Sequence, residues 1–195
     1  MSIDLPGFAD PVLGAQSAFR SILEAMSRPG TLHTAGVGLT PPAPLAPATA
    51  AALLTLCDAE TKLHLGAGCE AARDWIAFHC GAPLADDIGG AEFALALAMP
   101  DLTTLSDGSD DAPQDSATLV LQVDGFGRGQ SLHLAGPGLR VPGVLVVAGL
   151  PAHFAAAWAA NHAKFPRGVD LILCAGTEIA ALPRTVRIAV HEMEG

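Results

Sequence analysis

Apolar residues recur at helical spacing through GAQSAFRSILEAMSRPG, where Ala18, Phe19, Ile22, Leu23 and Met26 fall on one side and Pro29-Gly30 ends the run. The pattern predicts a helix with that side buried. TLHT is a short strand candidate, and TPPAPLAPATA holds too many prolines for regular structure until Ala48, from which ATAAALLTLCD reads as a second helix. TKLHL alternates like a strand. In CEAARDWIAFHCGAP the residues Ala72, Trp75, Ile76 and His79 form one stripe of a third helix, with Gly81 and Pro83 beyond its end.

EFALALA predicts another strand, and SDGSDDAPQDS, with four aspartates and no apolar anchor, a solvated loop. ATLVLQV and SLHLAG read as a hairpin across the glycine-rich DGFGRGQ. VLVVAG follows as a strand, PAHFAAAWAANHAKF as a helix begun by Pro151, and VDLILC as a continuous apolar strand. After it, Gly176-Thr177-Glu178 predicts a helical turn with free amides, and TVRIAV a last alternating strand that sets Arg187 opposite Val186 and Ile188. Helices interleaved with continuous apolar strands predict one α/β domain over residues 1–195, its central sheet covered on both faces and made mixed by the middle hairpin.

Composition changes this picture in two ways. Half of the 195 residues are hydrophobic and only 15% are charged, against about 25% in an ordinary soluble domain. A surface so short of charge is expected to face other protein. Acidic residues outnumber basic ones 20 to 10, giving a net charge of −10, which opposes loose binding to nucleic acid or anionic lipid. The most apolar stretch, VPGVLVVAGLPAHFAAAWAA, is interrupted by Gly149, Pro151 and His153, so no membrane span is expected. Cys57, Cys69, Cys80 and Cys174 form no CxxC pair, and MSIDLPGFADP carries aspartates where a signal peptide needs basic residues, so a reduced, cytoplasmic protein is expected.

Several chemistries lack their residues. There is no Gly-Lys pair for a phosphate loop, no Gly-x-Ser-x-Gly elbow and no His-x-x-x-His pair, and GFGRG and AGPGLRVPG miss dinucleotide spacing. The lysines, Lys62 and Lys164, stand at element ends where water reaches them, which speaks against a Schiff base with pyridoxal phosphate. No metal is expected.

Candidate groups remain. Arg20, Glu24 and Arg28 lie four apart, an ion-pair ladder, although Pro29 frees Arg28 to turn toward a site. Asp58 and Glu60 in LCDAET either shape a turn or orient a substrate hydroxyl, and His79 is either a packed residue near a helix end or a ligand. FPRGVDLILCAGTEIAALPRTVRI concentrates Arg167, Arg184 and Arg187, which suit bidentate phosphate binding, charged contacts with another subunit, or bracing of the sheet edge against Asp170 and Glu178.

That stretch closely resembles the C-terminal signature of the PhnH family, the H subunits of the carbon-phosphorus lyase system. FRSILEAMSRPGTL, LCDAETKL, WIAFHCGAPL, SATLVLQV and LAGPGL resemble its other signatures in order, so the likeness covers nearly the whole chain. It implies bacterial phosphonate use in a complex with G, I, J and L partners, which with ATP and an alkylphosphonate forms a ribose 1-phosphonate 5-triphosphate and displaces adenine, ahead of a separate radical step. It further implies a homodimer-forming three-layer αβα sandwich similar to pyridoxal-phosphate transferases but without their cofactor. It transfers no catalytic residue.

Overall fold

A computed structural model describes residues 5–189. Asp10 caps the first helix, α1 (Pro11–Ser27), by accepting from the amides of Val12 and Leu13 at 3.0 and 2.9 Å, and Pro11 suits the first turn. β1 (His33–Thr34) follows. α2 (Pro47–Leu56) buries Ala48 to Leu53 on every side, as befits a helix wedged between elements rather than lying on a surface. β2 (Leu63–Leu65) leads to α3 (Arg73–Cys80), which Gly81 ends in the left-handed conformation at φ 68°. Next come β3 (Leu84–Ala85), β4 (Phe93–Ala96), β5 (Thr118–Gln122), β6 (Gly125–Ala135), β7 (Gly143–Ala148), α4 (Phe154–His162), β8 (Asp170–Ala175), β9 (Glu178–Leu182) and β10 (Arg187–Ala189).

Seven strands form the central sheet in the order β1-β9-β8-β5-β4-β2-β3. From β8 to β3 all neighbours are parallel, while β9 and β1 are antiparallel additions. The sheet is therefore mixed, but not for the reason the sequence suggests. β5 and β6 do not form a hairpin within it: β5 lies between β4 and β8, whereas β6 pairs with β7 and β10 in a separate three-stranded sheet. Turn glycines and alternation are common to both arrangements, and only the continuous burial of Leu119, Val120 and Leu121 marks β5 as an interior strand.

Alternation along the strands divides the core. Val120, Ile172, Cys174 and Ile179 meet α1, α2 and α3, and Leu119, Leu121, Leu171, Leu173 and Leu182 face the other way. The second layer that they meet is largely β: the small sheet contributes Leu132, Leu134, Leu145 and Val147, and α4 adds Phe154 and Trp158. The expected all-helical third layer is thus replaced by a sheet with one helix. α4 starts at Phe154 rather than at Pro151, whose carbonyl accepts from the Phe154 amide at 2.9 Å. Inside, Asn161 takes the place of a strand residue, donating to Val169 O and accepting from Val169 N, both at 2.8 Å.

Three local expectations need correction. Phe19 and Leu23 are 48% and 56% exposed, because α1 rests on Ala18, Ile22 and Ala25 and its apolar arc is wider than its buried face. EIAAL is a strand, β9, that alternation does not reveal since Ile179 to Leu182 are buried on both faces. Gly176-Thr177 is not a helical turn but the two-residue connection of the β8–β9 hairpin, with Gly176 at φ 55° where a type II′ turn places glycine.

The acidic loop preceding β5 is solvated, yet it is anchored. Lys164 holds Asp107 at 3.0 Å, the Gly168 amide donates to Asp107 O at 2.9 Å, and Ala117 N donates to Ser106 O at 2.8 Å.

Two predictions follow from these contacts. Burial pushes the thiols upward, to about 11 at Cys69, to about 12 at Cys80 and Cys174, and further at Cys57. Native protein at pH 8 is expected to leave all four unlabelled by a maleimide within the time that urea-unfolded protein labels completely, as read by intact mass. The Lys164 hydrogen bond holds Asp107 below its usual 3.8. A depressed folded value makes the stabilisation complete above about pH 4 and lost as pH falls through it. Asp107→Asn should therefore lower the melting temperature at pH 7 by roughly 2 to 4 °C, for a pair contributing about 1 kcal/mol, and the gap should close toward pH 2.

Candidate functional site

The stretch from Lys164 to Arg187 starts at the amino-terminal edge of the parallel strands, crosses the sheet as β8 and returns to the same edge as β9. Asp170 opens β8 and Arg184 follows β9, so the antiparallel pairing of these strands returns one beside the other. Arg184 Nη2 lies 2.6 Å from Asp170 Oδ2 and its Nε 3.2–3.3 Å from both carboxylate oxygens, while the Arg184 amide donates to Oδ1 at 2.7 Å. Nη1 donates to Pro113 O at 2.7 Å and reaches Pro166 O at 3.5 Å. Both side chains are only 15% exposed, and the guanidinium fork is filled by protein acceptors. An incoming anion would have to displace a carboxylate already in place.

Arg167 is also engaged. Its Nε stands 3.1 Å from Asp110 Oδ1, within ion-pair range but out of line for a hydrogen bond. Glu178, by contrast, sits at the far end of the β8–β9 hairpin beside Thr34 and braces neither Arg167 nor Arg184. Arg187 projects to solvent from β10, with Val186 and Ile188 buried on either side of it. Arg28 caps α1 outside helical geometry, at φ −130° and ψ 71°; its guanidinium keeps Glu24 at 3.4 Å while 67% exposed.

The other candidates separate. Asp58 accepts from Thr61 Oγ1 at 2.8 Å and from Glu60 N at 2.9 Å, the Thr61 bond first among the contacts that lower its pKa, so it shapes the turn into β2. Glu60 enters a cleft of about 550 Å³ with Lys62, Glu92, Asp115, Ser116 and Thr118, at the starts of β2, β4 and β5. His79 is remote from both: with Trp75 it ties down the N-terminal segment, its Nε2 at 3.1 Å and the indole Nε1 at 2.8 Å from Leu5 O. Among the described residues no three His, Cys, Asp or Glu side chains are arranged to hold a metal ion, and no helix is long and apolar enough to cross a membrane.

A second cleft, of about 460 Å³, lies beside Arg184 and is walled by Met26, Phe165, Pro166, Pro183 and Thr185; Gln114 borders both clefts. Sheets of this kind ordinarily bind small molecules at the carboxyl ends of the strands. Here that end of β5 is filled. The Gln122 amide accepts from Ala46 N and Thr49 Oγ1 at 2.7 and 2.8 Å and donates to Pro44 O at 2.8 Å, sealing the proline-rich segment over it. At the neighbouring switch between β2 and β4, a Cβ on Gly66 would come within 2.9 Å of Leu95 O. Sequence reasoning passed over Gln122, Glu92 and Gln114; only the placement of a glutamine at the end of an apolar strand hinted at the first.

The model for the bacterial phosphonate metabolism protein PhnH matches residues 6–189. The alpha-D-ribose 1-methylphosphonate 5-triphosphate synthase subunit PhnH of Rhizobium meliloti (strain 1021) is 41% identical over 186 residues, covering 93% of each chain. A candidate C-P lyase subunit protein, HtxG, of Stutzerimonas stutzeri is 34% identical over 187 residues, covering 89% of this chain and 85% of that one. With its signature stretches in order along the chain and nearly its full length matched, the chain belongs to the PhnH family of bacterial phosphonate metabolism proteins.

Proposed function

We propose that this chain is a subunit of the C-P lyase assembly that supports transfer of an alkylphosphonate to the ribose C1 of ATP with loss of adenine, and that its own contribution is protein-binding surface rather than a reaction centre. The likeness to a synthase subunit supports the first half. The second half rests on one observation: Arg184, the most buried guanidinium of the signature stretch, has its fork filled by Asp170 and two backbone carbonyls. A site that must bind a phosphonate or a triphosphate needs donors left free for it.

The expected partners are a second copy and the G, I, J and L subunits, in the cytoplasm. The uncovered apolar surface supports partners: Val12, Leu13, Phe19 and Leu23 are between 48% and 73% exposed along α1. The expected likeness to pyridoxal-phosphate transferases without their cofactor belongs to the same reading. Its support is local, since Lys164 is paired with Asp107 and Lys62 lies at the rim of an open, acidic cleft, so neither offers the desolvated amine that a Schiff base requires.

A second reading, in which the chain carries a ligand site of its own, has Arg28, Arg187 and the Glu60 cleft to draw on. Adenine release from ATP and methylphosphonate by the reconstituted complex separates the two. Omitting the chain should abolish release. Isothermal titration of ATP or methylphosphonate into the chain alone should give no heat. Arg184→Ala, which strands a half-buried Asp170, should cost about 3 kcal/mol of stability, yet restore release wherever it remains folded. Heat with the isolated chain, or a folded Arg184→Ala protein that assembles and fails in turnover, would overturn the proposal in favour of the second reading.

A further inference from the structure

Three arginines that make few or no contacts with carboxylates converge on one junction of the fold. Gly138 approaches α1 so closely that a Cβ there would meet Ser27 O at 2.4 Å and the Pro29 ring at 2.8 Å. Gly136 is equally close to the segment entering β10, with Thr185 O at 2.9 Å from such a Cβ. Both have positive φ, 83° at Gly138 and 141° at Gly136, and the loop they form carries Arg140. The exposed residues Arg28, Arg140 and Arg187 thus stand around a single meeting point of α1, the β6–β7 loop and β10. Of the three, Arg28 has Glu24 as an ion-pair partner.

Met26 and Thr185, at this junction, are also walls of the apolar groove that continues to Phe165, Pro166 and Pro183. At the groove's other end Gln114 is shared with the cleft that holds Glu60, Glu92 and Asp115. The surface therefore has a polarity: arginines, then an open apolar groove with Phe165 58% exposed, then a cleft where three carboxylates outnumber one cation, Lys62. Arginine beside exposed aromatic and aliphatic groups, with lysine scarce, is the composition of protein interfaces. A small anion would engage only the first part of this surface, whereas a polypeptide segment with charges in the opposite order satisfies all of it.

We propose that this strip is the docking surface for a partner subunit of the assembly, and that it receives a segment carrying acidic residues over Arg28, Arg140 and Arg187, an apolar side chain against Phe165 and Pro166, and a basic residue toward Glu60, Glu92 and Asp115. The inference rests on the assembly role proposed above. Charge order fixes the direction in which the segment lies, because reversing it sets like charges against each other at both ends.

The test is co-purification of the full-length chain, affinity-tagged, with co-expressed G, I and J subunits. The wild-type chain should retain them. The double variant Arg140→Glu/Arg187→Glu, and separately Phe165→Ala, should retain at least tenfold less, with melting temperatures within a few degrees of wild type. Arg128→Glu, a charge reversal on the bulge of β6 half the size of the double variant's, should retain them fully. Failure of the wild-type chain to retain any partner would reject the assembly role itself. Retention by the wild type and undiminished retention by the double variant would reject this surface alone, as would a variant that converts a wild-type dimer into monomers in sedimentation, which would assign the strip to a second copy. If Phe165→Ala unfolds, the double variant, altered only at exposed positions, decides.

Discussion

The pairing of Asp170 with Arg184 is the contact on which the arrangement of this molecule turns. Asp170 begins β8, an interior strand with Leu171 and Leu173 facing one layer and Ile172 and Cys174 the other, so its carboxylate is delivered to the sheet edge in a fixed position. Arg184 reaches it from the end of β9, then extends across to Pro113 O, and so ties the acidic loop to the hairpin. One guanidinium links three segments because its donors are rigid and divergent, which an ammonium on a flexible stem does not reproduce. Lys164 and Arg167 add point contacts to Asp107 and Asp110 on the same loop. The concentration of cations in this stretch therefore answers first to Asp170 and to the loop, where Lys164 and Arg167 meet Asp107 and Asp110 and Arg184 meets Pro113 O.

Much of the α/β character was legible in the chain, and the limits have physical causes. α1 could be read, although its start at the Asp10 cap and Pro11 was passed over, because an unbroken helical period runs from Ala18 to Met26 and Pro29-Gly30 closes it. Its buried side could not, since Phe19 and Leu23 satisfy that period as well as Ala18 and Ile22 do, and periodicity does not say which part of a wide apolar arc meets the core. β5, β8 and β9 are apolar on both faces, which hides both register and neighbour; β5 was joined to β6 for their proximity in sequence, while its partners lie in β4 and β8. At the candidate site the arginines and one acceptor, Asp170, were visible in the sequence, whereas the acceptors in the loop were not. Asp107, Asp110 and Pro113 look like a solvated loop in the sequence, and only the folded chain brings them to Lys164, Arg167 and Arg184.

At the carboxyl edge of the sheet, the end of β5 leaves little room for a ligand. Gln122 holds the Pro44–Ala46 segment with two hydrogen bonds and Thr49 of α2 with a third, and its polar atoms engaged there are removed from ligand chemistry. A neutral amide performs this task better than a charged group, because it both accepts and donates and carries no large desolvation cost. Filling the edge with protein frees the chain from maintaining a hydrated crevice, and it moves the open clefts to the amino-terminal side, where strands begin and loops supply mixed charge.

A chain with net charge −10 raises an electrostatic difficulty for any acidic partner. Its mean field repels such a partner at long range. That field is screened over about 8 Å at physiological ionic strength, so at contact distances the partner feels local groups rather than the total. Segregation of charge is the means by which an acidic protein keeps an attractive patch: Glu60, Glu92 and Asp115 gather in one cleft, Asp107 and Asp110 of the loop are paired with Lys164 and Arg167, and Arg28, Arg140 and Arg187 stand apart from both. Added salt then acts in two opposing ways, weakening the contact made by the arginines while relieving the long-range repulsion. Association should consequently depend less on ionic strength than the number of arginines alone implies.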